Sequence, residues 1–103
     1  MNAIIEGKRY DTARAEVVAE YYCESGRRSF RYFEERLYRT HKGTWFMVGE
    51  GHALSPYAKV VEKSRRPGKE LRPLSEKEVR DWMERTGNFD ALEVFFPGHI
   101  EDA

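Results

Sequence analysis

Apolar positions recur along this chain with two periods, alternation and three-four spacing, and each stretch points to one kind of element. Ala3-Ile4-Ile5 and Lys8-Arg9-Tyr10 flank Glu6-Gly7, which predicts a β-hairpin over residues 1–10 closed by a two-residue loop with glycine in second place. Ala13, Val17, Val18 and Tyr21 lie three and four apart behind Asp11 and Thr12, whose side chains can accept hydrogen bonds from free amides. This spacing predicts an amphipathic helix over residues 13–24, stopped by Gly26. Residues 29–49 predict a second hairpin, with His41-Lys42-Gly43 as its loop. On its first strand Phe33, Glu35 and Leu37 share one face, and Tyr32, Glu34, Arg36 and Tyr38 the other. On the second, Trp45 and Met47 oppose Phe46 and Val48, so both faces hold aromatics. One face covers the core; the surplus on the other either packs under the first hairpin or meets a partner.

Beyond Gly49-Glu50-Gly51-His52, the apolar run Tyr57 to Val61 fits helix or strand equally. Residues 62–69 form a basic Pro-Gly stretch that reads as an exposed loop. Glu70 to Pro73 can add a short strand, which the proline places at a sheet edge. The sharpest local signal is Leu74-Ser75-Glu76-Lys77-Glu78-Val79, where serine and glutamate can bond each other's amides and Leu74 can pack on Val79. Two helices are expected over residues 75–96: Val79, Trp82 and Met83 line the first, Gly87 stops it, and Asn88 caps the second, which buries Phe89, Leu92, Phe95 and Phe96. The sum is an α+β fold, an antiparallel sheet of about four to five strands with helices packed on one face. Its core is expected to draw on Ile4, Val17, Val18, Tyr21, Phe33, Leu37, Phe46, Val48, Leu71, Val79, Trp82, Leu92 and Phe95.

At 103 residues the chain suits a single domain. It has no apolar run approaching the length of a membrane span, and its single cysteine rules out an internal disulfide. The expectation is a soluble, cytoplasmic protein. Its formal net charge of zero conceals a division: residues 1–74 hold 15 basic and 10 acidic side chains, residues 75–103 hold 3 and 8. Between Ser25 and Arg72 there are 12 basic residues against 5 acidic ones. Such a surface is either neutralised by the acidic helices folding back on it or left open to an acidic partner or a phosphate backbone.

Combinations of groups able to do chemistry are scarce. His41, His52 and His99 show no helical pairing and no clustering with cysteine, so no metal is expected. Cys23 reads as a small core or boundary residue, a nucleophile only if His52 reached it. Gly49-Glu50-Gly51-His52 lacks the third glycine of a dinucleotide fingerprint and the Gly-Lys-Ser/Thr of a P-loop, and reads as a turn needing positive φ twice. Glu34 and Glu35, adjacent on a strand, point to opposite faces and cannot act as a pair. No catalytic residue and no cofactor is expected, and a hydrolase resting on Glu50 and His52 is the weakest reading. Nucleic-acid binding has more material, since arginines among tyrosines on a sheet can contact phosphates and stack bases.

Gly7-Lys8-Arg9-Tyr10-Asp11-Thr12, the stretch from Phe33 to Phe46 with Gly49-Glu50-Gly51, and Pro73-Leu74-Ser75 before a tryptophan-bearing helix together resemble a group of small α+β proteins carried by bacteriophages and other mobile elements. The likeness spans most of the chain, but His52 stands where the pattern has a second glycine after Gly51, and the Arg65-Arg66 loop also departs from it. The resemblance carries over no catalytic residue. It implies a non-catalytic accessory protein that binds and inhibits a host protein or nucleoprotein complex, such as an anti-CRISPR; the alternative is a nucleic-acid-binding regulator on the same basic aromatic face. The expected contact residues are Arg28, Arg31, Arg36, Tyr38, Arg39, Trp45, Arg65 and Arg66.

The pattern places Trp82 at the centre of the helical stripe, so Trp82→Ala is expected to cost about 3–5 kcal/mol. Thermal unfolding of the variant checks this, and an unchanged melting temperature would refute the helix register.

Overall fold

The computed structural model describes residues 1–103, in order β1 (Asn2–Ile5), β2 (Lys8–Asp11), a 3-10 turn (Thr12–Arg14), β3 (Glu16–Tyr22), β4 (Phe33–Arg39), β5 (Trp45–Gly51), β6 (Lys59–Val61), β7 (Ser64–Arg66), β8 (Gly68–Leu74), α1 (Glu76–Arg85), α2 (Phe89–Phe95) and a 3-10 turn (Pro97–His99). Four strands form an antiparallel sheet in the order β3-β4-β5-β8, and β1-β2 and β6-β7 are separate hairpins. The fold is α+β, as the sequence predicts. No helix is long and apolar enough to cross a membrane.

The period-2 pattern of β4 and β5 sorts side chains onto two buried faces. Leu37, Trp45 and Met47 join Val79, Trp82, Met83, Leu92 and Phe96 in the larger cluster, so α1 and α2 pack on that face. Tyr38, Phe46, Val48 and Leu71 face the other way and are covered by Tyr10, Ala3 and Ile5 of the first hairpin. Tyr38 stacks on Phe46 at 5.0 Å, and Tyr10 meets Phe46 edge-on at 5.6 Å. The aromatic surplus of the second face thus goes under the N-terminal hairpin. That hairpin turns as predicted, with Glu6 and Gly7 both at positive φ.

The predicted helix over 13–24 is instead the edge strand β3. Asp11 does cap, accepting from the Ala13 amide at 2.9 Å, but the chain leaves helical geometry after a single 3-10 turn. β-Branched and aromatic residues in Val17-Val18 and Tyr21-Tyr22 favour extended chain, and β4 supplies a partner for it. A register shift between Val17 and Ala19 inserts one residue, which breaks strict alternation and imitates helical spacing. Val17 and Ile4, expected in the core, are exposed, as is Phe89. The expected loop at 62–69 is mostly the β6-β7 hairpin, turning through Glu62 and Lys63 at positive φ, followed by the start of β8.

β8 is an edge strand, which accommodates Pro73. Ser75 and Glu78 form the predicted reciprocal cap of α1: the Glu78 amide donates to Ser75 Oγ at 3.1 Å and the Ser75 amide to Glu78 Oε1 at 3.0 Å. Asn88 caps nothing with its side chain; its amide group donates to the carbonyl of Glu20, tying the α1-α2 turn to β3.

Gly49 and Gly51 overturn the expectation of a positive-φ turn. Both lie in β5, and neither has positive φ. They are small because the segment after β5 folds back across them. A Cβ on Gly49 would fall 1.9 Å from the Tyr57 ring, and one on Gly51 2.2 Å from Ser55 Oγ. Tyr57 lies there to reach Glu35, a carboxylate only 7% exposed, which accepts from the Tyr57 hydroxyl and from Trp82 Nε1 at 2.9 Å.

Burial, then the hydrogen bond to Glu35, raises the pKa of the Tyr57 hydroxyl well above its ordinary value near 10. The unfolded chain therefore loses this proton first, and the stability it contributes, complete below about pH 10, drains away as pH rises further. Tyr57→Phe is expected to lower stability by about 1–3 kcal/mol near neutrality, because Glu35 loses a partner, and to flatten the alkaline decline. Urea unfolding at stepped pH checks both, and an equally steep decline in the variant would refute the assignment.

Candidate functional site

At the end of the sheet where β4 begins and β5 ends, the side chains of the second face lie outside the cluster packed under the N-terminal hairpin. The register aligns a row across the four strands: Tyr22, Glu34, Glu50, Lys69. Glu34 and Glu50 are direct cross-strand neighbours. The buried Tyr32 donates its hydroxyl to Glu34 Oε2 at 2.7 Å. This bond, ahead of everything else, holds the Glu34 carboxyl below its usual range, while burial and the same carboxylate raise the Tyr32 hydroxyl.

A cleft of about 620 Å³ opens over this row. Glu34 and Glu50 contribute to its wall together with Tyr32 and His52, and Arg27, Lys59 and Lys69 stand around it. His52 Nδ1 lies 2.8 Å from the Ser29 carbonyl, so with Nδ1 protonated it donates there and Nε2 is left as an acceptor. Its ring lies 5.3 Å from that of Tyr32. Of the groups forming this cleft, the sequence reading joined Glu50 with His52 and set Tyr32 and Glu34 on one strand face, without bringing the two pairs together. Opposition of Glu34 and Glu50 follows once the hairpin register is counted back from the His41-Gly43 loop, whereas Arg27 and Lys59 are brought in by turns that no periodicity announces.

The eight expected contact residues divide. Arg28, Arg31 and Arg66 are exposed and ion-paired to nothing. Arg65 is exposed but donates through Nε to the Ala53 carbonyl at 2.9 Å, fastening the β6-β7 hairpin to the segment after β5. Arg36 pairs with Glu20 on β3 at 3.4 Å. Tyr38 and Trp45 are not available at all, being buried under the first hairpin and the helices respectively. Arg39 is packed between Trp45 and Phe95, its guanidinium 5.4 Å from each ring. The aromatic half of the expected surface is therefore core; of its basic half, Arg28, Arg31 and Arg66 are exposed and free of ion pairs, and Phe30, between the first two in sequence, adds an exposed ring.

The acidic end of the chain does not neutralise these cations. The ion pairs are Arg14–Asp11, Arg36–Glu20 and Lys77–Asp81, and none joins the body to the final third. Cys23 follows β3, with Sγ 3.1 Å from Ser25 Oγ; that bond lowers its thiol, while His52 is engaged with Ser29.

Comparison with protein-family models, curated proteins and solved structures finds no match for this chain. The motifs behind the resemblance map onto turns and packing: Gly7 to Thr12 on β2 and its turns, Phe33 to Gly51 on the β4-β5 hairpin, and Pro73 to Ser75 at the entry to α1.

Like charges placed directly opposite across a strand pair lower stability. Glu50→Gln replaces one of them with an amide that can donate to Glu34, and is expected to raise stability by about 0.5 kcal/mol at pH 7. Chemical denaturation checks this, and a destabilised variant would show that the pair is a structural tie.

Proposed function

We propose that the protein is a non-catalytic accessory protein that binds an acidic surface of a host protein or nucleoprotein complex and inhibits it, with Arg28, Arg31 and Arg66 at the open end of the sheet as its contacts. The observation that carries this is that these guanidinium groups are exposed and unpaired although the chain holds as many acidic as basic residues. An uncompensated patch on a rigid scaffold steers a partner of opposite charge and fixes its orientation. Counter-defence, including inhibition of a CRISPR complex, is the form of this function that the mobile-element resemblance supports. Phe30 favours a second reading, a nucleic-acid-binding regulator: its ring is 70% exposed between Arg28 and Arg31, where a base could stack while the arginines hold phosphates.

The test compares the protein with an Arg28→Glu/Arg31→Glu/Arg66→Glu variant in affinity capture from host lysate and in shift assays with DNA and RNA at two salt concentrations. A protein captured by the parent and lost by an equally stable variant supports inhibition through this patch. Binding to nucleic acid that weakens steeply with salt, with no protein captured, replaces it with the regulator. Identical captures by parent and variant would overturn the assignment of the patch.

A further inference from the structure

We propose that the cleft over Glu34 and Glu50 is a binding site for a sugar phosphate, with the phosphate among Arg27, Lys59 and Lys69 and a pair of sugar hydroxyls on the two carboxylates. The site is distinct from the arginine patch, and the inference does not depend on it.

The starting point is a cost the fold does not require. Two carboxylates face each other across β4 and β5, and neither forms an ion pair, even though Lys69 stands directly opposite Glu50 in register. Tyr32 donates to one oxygen of Glu34. The Glu50 carboxylate accepts no hydrogen bond from a side chain or the backbone, unlike Glu34 and Glu35. Adjacent acceptors with lone pairs to spare suit a ligand offering two adjacent donors. Beyond them, Arg27, Lys59 and Lys69 are likewise free of ion pairs.

The mixture of charges narrows the ligand. A simple metal ion is disfavoured by three cations at the mouth, and no group of three or more His, Cys, Asp or Glu side chains is arranged to hold one. A simple anion would have to approach two carboxylates. A molecule with a doubly charged anionic group at one end and neutral hydroxyl donors at the other satisfies both halves without displacing either. Three cations suit a phosphate dianion better than the single charge of a carboxylate, which argues against a free amino acid. The cleft volume, about 620 Å³, lies within the ordinary range for small-ligand sites, and the half-buried ring of His52 offers surface to the apolar side of a sugar. The sugar phosphate can come from a free sugar metabolite or from a free nucleoside 5′-monophosphate, which share a 5′-phosphate dianion and a cis-diol.

Calorimetric titration of the folded protein with ribose 5-phosphate, 2-deoxyribose 5-phosphate, inorganic phosphate and glycine tests this, with amide shifts of Glu34, Glu50, His52 and Gly68 reporting the place. Ribose 5-phosphate is expected to bind at the cleft, and the 2-deoxy compound about tenfold more weakly, since one hydroxyl donor to the paired carboxylates is lost. Glu50→Gln is expected to weaken ribose 5-phosphate by about tenfold without loss of fold, while the Arg28/Arg31/Arg66 variant binds it as the parent does. Tighter binding of adenosine 5′-monophosphate would assign the source to free nucleotides, and tighter binding of ribose 5-phosphate to free sugar metabolites; both support the site, whereas tighter binding of a short RNA with a free 3′ end, which offers only a phosphodiester, would overturn it. Equal binding of inorganic phosphate or of the deoxy compound, preference for glycine, indifference to Glu50→Gln, or no shift at the cleft would overturn it. Failure of partner capture by the arginine patch leaves these results unchanged.

Discussion

The Glu35 carboxylate is the point on which the arrangement of this molecule turns. Taking a charged carboxylate out of water costs several kcal/mol unless hydrogen bonds replace the lost hydration. Here the replacements come from two distant parts of the chain, the indole of Trp82 on α1 and the hydroxyl of Tyr57 in the segment after β5. Each donor therefore has its place dictated by the same acceptor. Trp82 sets the position of α1 over the sheet, and the apolar neighbours Val79 and Met83 follow it into the larger cluster. Tyr57 sets the path of residues 52–58, which must lie against β5 closely enough that only glycine fits beneath them.

That path in turn builds the open end. Because the chain folds back over Gly49 and Gly51, His52 is held beside Tyr32 and Ser29, and the β6-β7 hairpin is delivered next to the sheet, where Arg65 fastens it to the Ala53 carbonyl. Gly68 lets the returning strand pass the Tyr57 carbonyl, which a Cβ would approach to 2.0 Å. The cleft and the exposed cations around it are thus displayed by loops and a hairpin on a sheet whose two faces are packed elsewhere along their length. Functional groups commonly sit on such loops because the scaffold can hold them still without burying them.

Much of the scaffold was legible in the sequence. The Glu6-Gly7 turn, the β4-β5 hairpin with Gly43 in its left-handed position, the edge proline and the Ser75 cap each rest on a local rule, and each holds. What failed depended on contacts that local patterns do not encode. A one-residue bulge disguised β3 as a helix, and an overlying tyrosine ring, not a turn, explains the glycines of β5. The site suffered for the same reason. Alternation within each strand did not relate one strand's faces to the other's, so Tyr38 and Trp45 were grouped on one contact surface, whereas the register puts them on opposite faces, one covered by a hairpin and one by helices. Glu34 and Glu35 were rightly separated, but the informative partner of each lay across the sheet: Glu50 for one, Trp82 and Tyr57 for the other.

No ion pair joins the acidic residues of the final third to the cations of the body, and two of those residues are engaged within their own helix. Glu78 accepts from Ser75 at the start of α1, which holds its carboxyl below the usual range, and Asp81 pairs with Lys77 one turn away. Such local bonds keep acidic side chains on their own helix. An ion pair between the helices and the open end would need long side chains to span the layer, with an entropy cost that a solvent-screened contact barely offsets. Arg39 marks the boundary: the one cation of the body that meets the last helix does so through the faces of Trp45 and Phe95, not through a carboxylate. A formal net charge of zero therefore coexists with exposed cations in the body that no carboxylate of the final third pairs.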